Sequence, residues 1–98
     1  MIEEQARADG HQVKVSRLPV AAIPRARTLR ETEGLWKIVV EGDTDQILGA
    51  TLLGPESGEV ITTIQTAMLT GLTFSALQSM TITHPTMTEG LNLMPPPA

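Results

Sequence analysis

Between Glu59 and Glu89 the chain carries no formally charged side chain, and this interval of 29 residues limits how the rest can fold. Of 18 Asp, Glu, Lys and Arg residues, 17 lie in positions 1–59 and the last is Glu89. About 25% of residues are charged in an ordinary domain, so roughly seven charges would be expected in such an interval. The interval nevertheless has a clear helical pattern. Val60, Ile61, Ile64, Met68 and Leu72 recur at spacings of three and four, the mark of a helix with one apolar stripe. Ser57 is a candidate N-cap, Glu59 sits in the first turn and Gly71 marks the end. The opposite face carries Thr62, Thr63, Gln65, Thr66 and Thr70.

A helix whose far side met bulk water would normally carry Lys and Glu. Neutral polar residues in that position suit a face that is wet in a monomer and covered in a complex, because interface cores are depleted in charge. Burial of both faces inside one domain would need more chain than 98 residues can spare, since a domain of this size covers only roughly 60–65% of its unfolded surface. The expectation is a two-fold homodimer that buries residues 60–72 and 80–93, with the same patch used on both sides.

The preceding half reads differently. Residues 2–8 form a short helix with acids in its first turn and Gly10 as the stop. Residues 13–16 alternate apolar and polar, as a half-buried strand does. Pro19 and Pro24 make the following stretch extended edge structure. Trp36, Ile38 and Val40 fall on one face of a strand, residues 42–45 make a turn, and 46–54 run back as the next strand. The fold class expected is α+β: an antiparallel sheet of three to four strands with helices packed on one side. Shorter helices follow near 74–79 and 86–93, and three prolines at 95–97 close the domain.

Several function classes can be set aside. The net charge is -4, and Arg25, Arg27 and Arg30 are followed at once by Glu31 and Glu33, so this cluster reads as a solvated loop and no nucleic-acid partner is expected. The chain has no Cys, which removes thiol chemistry and zinc ribbons. His11 and His84 are the only imidazoles and no metal-ligand spacing recurs, so no metal site is expected. No stretch approaches the roughly 18 apolar residues of a membrane span, and the first ten residues lack an apolar run. A cytoplasmic location without membrane contact is expected.

One segment has the look of chemistry: His84-Pro85-Thr86-Met87-Thr88-Glu89. A proline restricts the residue before it to extended backbone, so His84 would present its ring just ahead of a helix. Glu89 follows five residues later, and a His–carboxylate pair is the usual way to orient a general base. The plainer reading is a loop histidine and a favourable early-helix acid.

The string His-Pro-Thr-x-x-Glu before a short amphipathic helix resembles the C-terminal signature of the pyridine-nucleotide–disulfide oxidoreductases. The resemblance extends along nearly the whole chain. Residues 3–7 (EEQAR) are similar to the helix that opens that family's dimerisation domain, Arg25-Ala26 to its RA element, and Gly34-Leu35-Trp36-Lys37 to a strand start. Ile47-Leu48-Gly49-Ala50 with Leu53-Gly54 is similar to its next strand.

The resemblance implies that residues 1–98 are a single dimerisation domain, a fragment of a longer flavoenzyme that uses FAD and NAD(P)H. It also implies a histidine reaching across the two-fold axis to the partner's flavin and redox-active dithiol, through a cis peptide before its proline. By that correspondence His84 takes the acid/base role and Glu89 the orienting role. The chain itself has no Gly-x-Gly-x-x-Gly unit and no Cys pair, so none of these cofactors is expected to bind it. Its partners would be a second copy and the FAD and NAD(P) domains of the parent, and alone it should be colourless and inactive. The competing reading is a freestanding homodimeric interaction module without catalysis.

Overall fold

A computed structural model of the chain describes residues 2–80, 82 and 86–98. Helix α1 (Glu3–Ala8) opens the fold with acids in its first turn and Arg7 in its last. Gly10 adopts φ +87, a left-handed backbone that lets the chain turn into strand β1 (Val13–Pro19). After a 3-10 turn at Val20–Ala22 comes α2 (Pro24–Leu29), which ends at Arg30 with φ 58. Strands β2 (Leu35–Glu41) and β3 (Ile47–Leu53) complete an antiparallel sheet of order β1-β2-β3.

The register explains the main core. Leu18 lies opposite Trp36 and Trp36 opposite Leu52; Ser16 lies opposite Ile38 and Ile38 opposite Ala50. Because strand residues alternate faces, this sheet face points Leu18, Trp36, Ile38 and Val40 to one side. Helices α3 (Ser57–Thr70), α4 (Phe74–Gln78) and α5 (Gly90–Leu93) cover that side, burying Val60, Ile64, Ala67, Phe74, Leu77 and Leu91 against it. The expected antiparallel sheet with helices on one side is present. One element goes to the other face: Ala6 of α1 is fully buried, with Val15 and Val39 the buried residues of that sheet face. Glu3 ties α1 down there, with Lys37 Nζ at 2.7 Å, Arg7 Nη2 at 2.9 Å and Arg17 Nη2 at 3.6 Å.

The chain end lines the outer edge of β1. The Val15 N–H donates to the Ala98 carbonyl at 2.9 Å and the Ala98 N–H donates back to Val15 at 3.1 Å. The Ser16 hydroxyl, buried, donates to the Pro95 carbonyl at 2.5 Å. An edge position is where prolines can lie along a sheet, since no ladder hydrogen bond is asked of them.

Three local expectations differ from the structure. The stretch around Arg25 is helical and not a solvated loop, because Pro24 at the first helical position already has a helix-compatible φ and Ala26 finds a fully buried place. Ser57 is the first residue of α3 and not its cap; Glu56 caps the helix with φ 57, and the Ser57 hydroxyl donates to the Gly54 carbonyl at 2.8 Å. The buried stripe of α3 is Val60, Ile64 and Ala67, whereas Met68 and Leu72 are exposed.

Candidate functional site

Glu89 is placed by a tight piece of chain that packs onto the centre of the sheet. Its own N–H donates to the Thr86 hydroxyl at 3.2 Å, so Thr86 closes a turn over Met87 and Thr88. Met87, Gly90, Leu91 and Met94 are all buried. Gly90 lies directly on the indole of Trp36: a Cβ there would come within 2.6 Å of Trp36 Cζ3 and 2.7 Å of Ile23 Cδ1. The absence of a side chain at 90 therefore lets α5 sit against the sheet. Trp36 is fully buried, and among the described residues its indole N–H has no hydrogen-bond partner.

Glu89 is half-buried at the start of α5. His84 and Pro85 lie outside the described residues, and so do the expected cis peptide between them and the expected contact of His84 with Glu89. The other imidazole is structural: His11 Nδ1 lies 2.5 Å from Glu41 Oε2 and joins the α1–β1 turn to the end of β2. Among the described residues no three His, Asp or Glu side chains gather as a metal site.

Sequence reasoning missed the amides beside this segment. Asn92 donates from Nδ2 to two carbonyls, Gln78 at 2.9 Å and Met80 at 2.7 Å. Gln78 donates in return from Nε2 to the Met94 carbonyl at 2.6 Å. Side-chain amides inside an uncharged, largely apolar stretch were the available signal, but their partners are 12 to 16 residues away.

The second feature of the site is the outward face of α3. Thr62, Thr66 and Thr70 each turn their hydroxyl back into the helix, donating to the carbonyls of Gly58 (3.3 Å), Thr62 (2.8 Å) and Thr66 (2.9 Å). A hydroxyl satisfied in this way leaves the γ-methyl for whatever packs on the ridge, and no donor is orphaned if water is removed. Leu69, 82% exposed, shares this face. A groove of about 280 Å³ runs beside it, bounded by Thr62, Thr66, Leu72, Leu77 and Met80, with Glu59 of the first turn also lining it. Beyond Glu59 in the first turn, the face is thus uncharged, internally hydrogen-bonded and rich in exposed aliphatic groups, as a surface suited to desolvation should be. Among the described residues no helix is long and apolar enough to cross a membrane.

Comparison with known proteins places the chain in a family. Residues 1–95 match the family described as the pyridine nucleotide-disulphide oxidoreductase dimerisation domain. The chain is 47% identical over 92 residues to the probable pyridine nucleotide-disulfide oxidoreductase RclA of Escherichia coli, covering 94% of this chain and 21% of that protein. It is 43% identical over 91 residues to the dihydrolipoyl dehydrogenase of Thermus scotoductus, covering 93% of this chain and 20% of that one. The solved structure of the HOCl-induced flavoprotein disulfide reductase RclA superposes with a TM-score of 0.92 at 46% identity, over 96% of this chain and 22% of the other. The chain therefore spans about a fifth of the length of the relatives it matches.

Proposed function

The chain belongs to the dimerisation-domain family of the pyridine nucleotide-disulphide oxidoreductases, and on that premise we propose that it joins two copies of a longer flavoenzyme and lends each site a proton-transfer pair. The observation that carries the first half is the outward face of α3. Its three back-bonded threonines and exposed Leu69 can be covered by a second copy without stranding a charge or a hydroxyl. A two-fold contact through α3 and through Met80 and Leu93, which are both exposed, would bury the same patch on each subunit.

The second half concerns His84 and Glu89. In this reading Glu89 holds the His84 imidazole in one tautomer and stabilises its charged form. The imidazole takes a proton from an attacking thiol and returns it to the thiolate that leaves when a disulfide is split. FAD and NAD(P)H would supply the reducing equivalents, held by the parent's other domains, because this chain has no Gly-x-Gly-x-x-Gly unit to cradle a dinucleotide. What the chain contributes is proton transfer and geometry, and alone it turns over no disulfide. RclA is a flavoprotein disulfide reductase, and that likeness makes an organic disulfide the proposed substrate class.

A complementation experiment tests the arrangement across the dimer. One variant of the full-length enzyme carries His84→Gln; a second lacks the redox-active cysteines. Each is expected to be nearly inactive, yet after subunit exchange the mixture should recover roughly a quarter of wild-type activity, since half the dimers would hold one complete site. Exchange without recovery would mean that His84 does not act in the partner's site.

A further inference from the structure

Glu89 is connected to the end of α4 through a single residue. The Asn92 backbone N–H donates to the Glu89 carbonyl at 2.9 Å, while its side chain donates to Gln78 and Met80 at 2.9 and 2.7 Å. Asn92 thus holds, with one carboxamide and one amide N–H, the chain leaving α4 and the turn that carries Glu89. Gln78 closes the same staple from the other side by donating to Met94, whose side chain is buried in the core. The floor beneath is rigid, since Gly90 and Leu91 rest on buried Trp36 and its neighbours.

We infer that Asn92 is a positioning residue for Glu89, fixing the separation between the Met80 carbonyl and the Glu89 turn. The inference rests on the acid/base reading given above. Its physical basis is that an Nδ2 group has two hydrogens and both are used, so no other side chain of this size could make both bonds while keeping its backbone in α5. Aspartate has the same shape but only acceptors to offer, and it would face two carbonyl oxygens with its own lone pairs. Leucine has the same bulk and no donor. A displacement of the order of 1 Å at a proton-transfer group can lower a rate about 100-fold, so a modest loosening here has a large readout.

The test uses the full-length holoenzyme with Asn92→Leu and Asn92→Asp. Disulfide reduction is measured across pH, with ferricyanide reduction as the control, because that one-electron acceptor needs no proton transfer at the disulfide. The expected result is a kcat for the disulfide lowered about 10- to 100-fold. The KM should stay within about twofold and ferricyanide reduction at the wild-type rate, as expected when only transition-state geometry is lost. The pH profile should change in the direction that Glu89→Gln changes it. Wild-type kcat and pH profile in both variants would overturn the inference, as would an equal loss of both activities, which marks a general loss of structure. Should neither variant fold, Asn92→Ser keeps one donor and should lower kcat by an intermediate factor; unchanged kcat there overturns the inference equally. Glu89→Gln separates the two readings. If it leaves kcat untouched, the acid/base assignment falls and the role of Asn92 with it; if it lowers kcat and Asn92→Leu does not, only the role of Asn92 falls.

Discussion

Replacing Gly90 with Ala sets two effects of opposite sign against each other. Alanine is favoured over glycine in a helix by up to about 1 kcal/mol, and less at the first helical position, which is where Gly90 sits. Against that gain stands the contact with the sheet. The new Cβ would lie 2.6 and 2.9 Å from two Trp36 ring carbons and 2.7 Å from Ile23 Cδ1. Trp36 and Ile23 are both fully buried, so neither can swing into solvent. Overpacking of this kind costs about 1–3 kcal/mol, so the clash wins and the net loss should be about 1–2 kcal/mol. For a domain of this size each kcal/mol moves Tm by about 4–8 °C, giving a fall of roughly 4–16 °C. Trp36 is the only tryptophan, so its fluorescence reports unfolding at the affected contact. Protein concentration must be held fixed, because any association of the folded chain would add to apparent stability. In a Trp36→Phe background the smaller ring should relieve the clash, with a coupling of about 0.5–3 kcal/mol between the two sites. An unchanged or raised Tm for Gly90→Ala would falsify the packing argument.

Further outcomes follow from the same structure. Glu3 is held down from its ordinary value of 4.5 to about 2, chiefly by the hydrogen bond from Lys37 and next by that from Arg7. A carboxyl lowered on folding stabilises the fold above its unfolded value, and that contribution is lost as pH falls from about 4.5 toward 2. Acid titration of the wild type and Glu3→Gln should therefore diverge above that window and converge within it, and parallel curves throughout would contradict the assignment. Gly34 has φ +131 and a Cβ there would sit 2.1 Å from the Leu53 carbonyl oxygen. Since that neighbour is backbone in a paired strand, Gly34→Ala should cost about 3 kcal/mol or more, read as a lower denaturant midpoint at unchanged slope.

Much of the architecture was legible because its signals are local. The alternation of Trp36, Ile38 and Val40, the turn at 42–45 and the glycine at 71 each act within a few residues, and β2, β3 and the end of α3 stand where those signals put them. The stripe of α3 was misread at its far end for a geometric reason. Seven residues bring a helix back to within about 20° of its starting direction, whereas eight overshoot to about 80°, so Ala67 follows Val60 into the core and Met68 does not. Helix α2 is hidden by its charges, because Arg25, Arg27 and Arg30 beside Glu31 and Glu33 have the composition of a solvated loop, although Pro24 stands where a proline starts a helix. The partners in the Asn92 staple could not be read, because they depend on α4 and α5 meeting, and the amides alone do not record that. At the site, the His84–Glu89 spacing is in the motif itself, but its pattern predicts a helix from residue 86 where the Thr86 turn stands and α5 begins only at Gly90, and the seat of Gly90 on Trp36 joins residues that only the sheet brings together.

In the proposed assembly the outward face of α3 joins two copies of this chain. Sedimentation equilibrium from about 5 to 100 μM reads this directly, because the stable interfaces of this class bury at least about 1,200 Å² and hold in that range. The chain has a mass of 10.5 kDa, and a dimer through this face gives twice that value at the upper concentrations. Thr66→Arg, which places an unpaired charge on the ridge, should return the mass to that of one chain while the Trp36 environment stays native. A single-chain mass at about 100 μM for the wild type, or a Thr66→Arg variant that remains dimeric, would contradict this assembly.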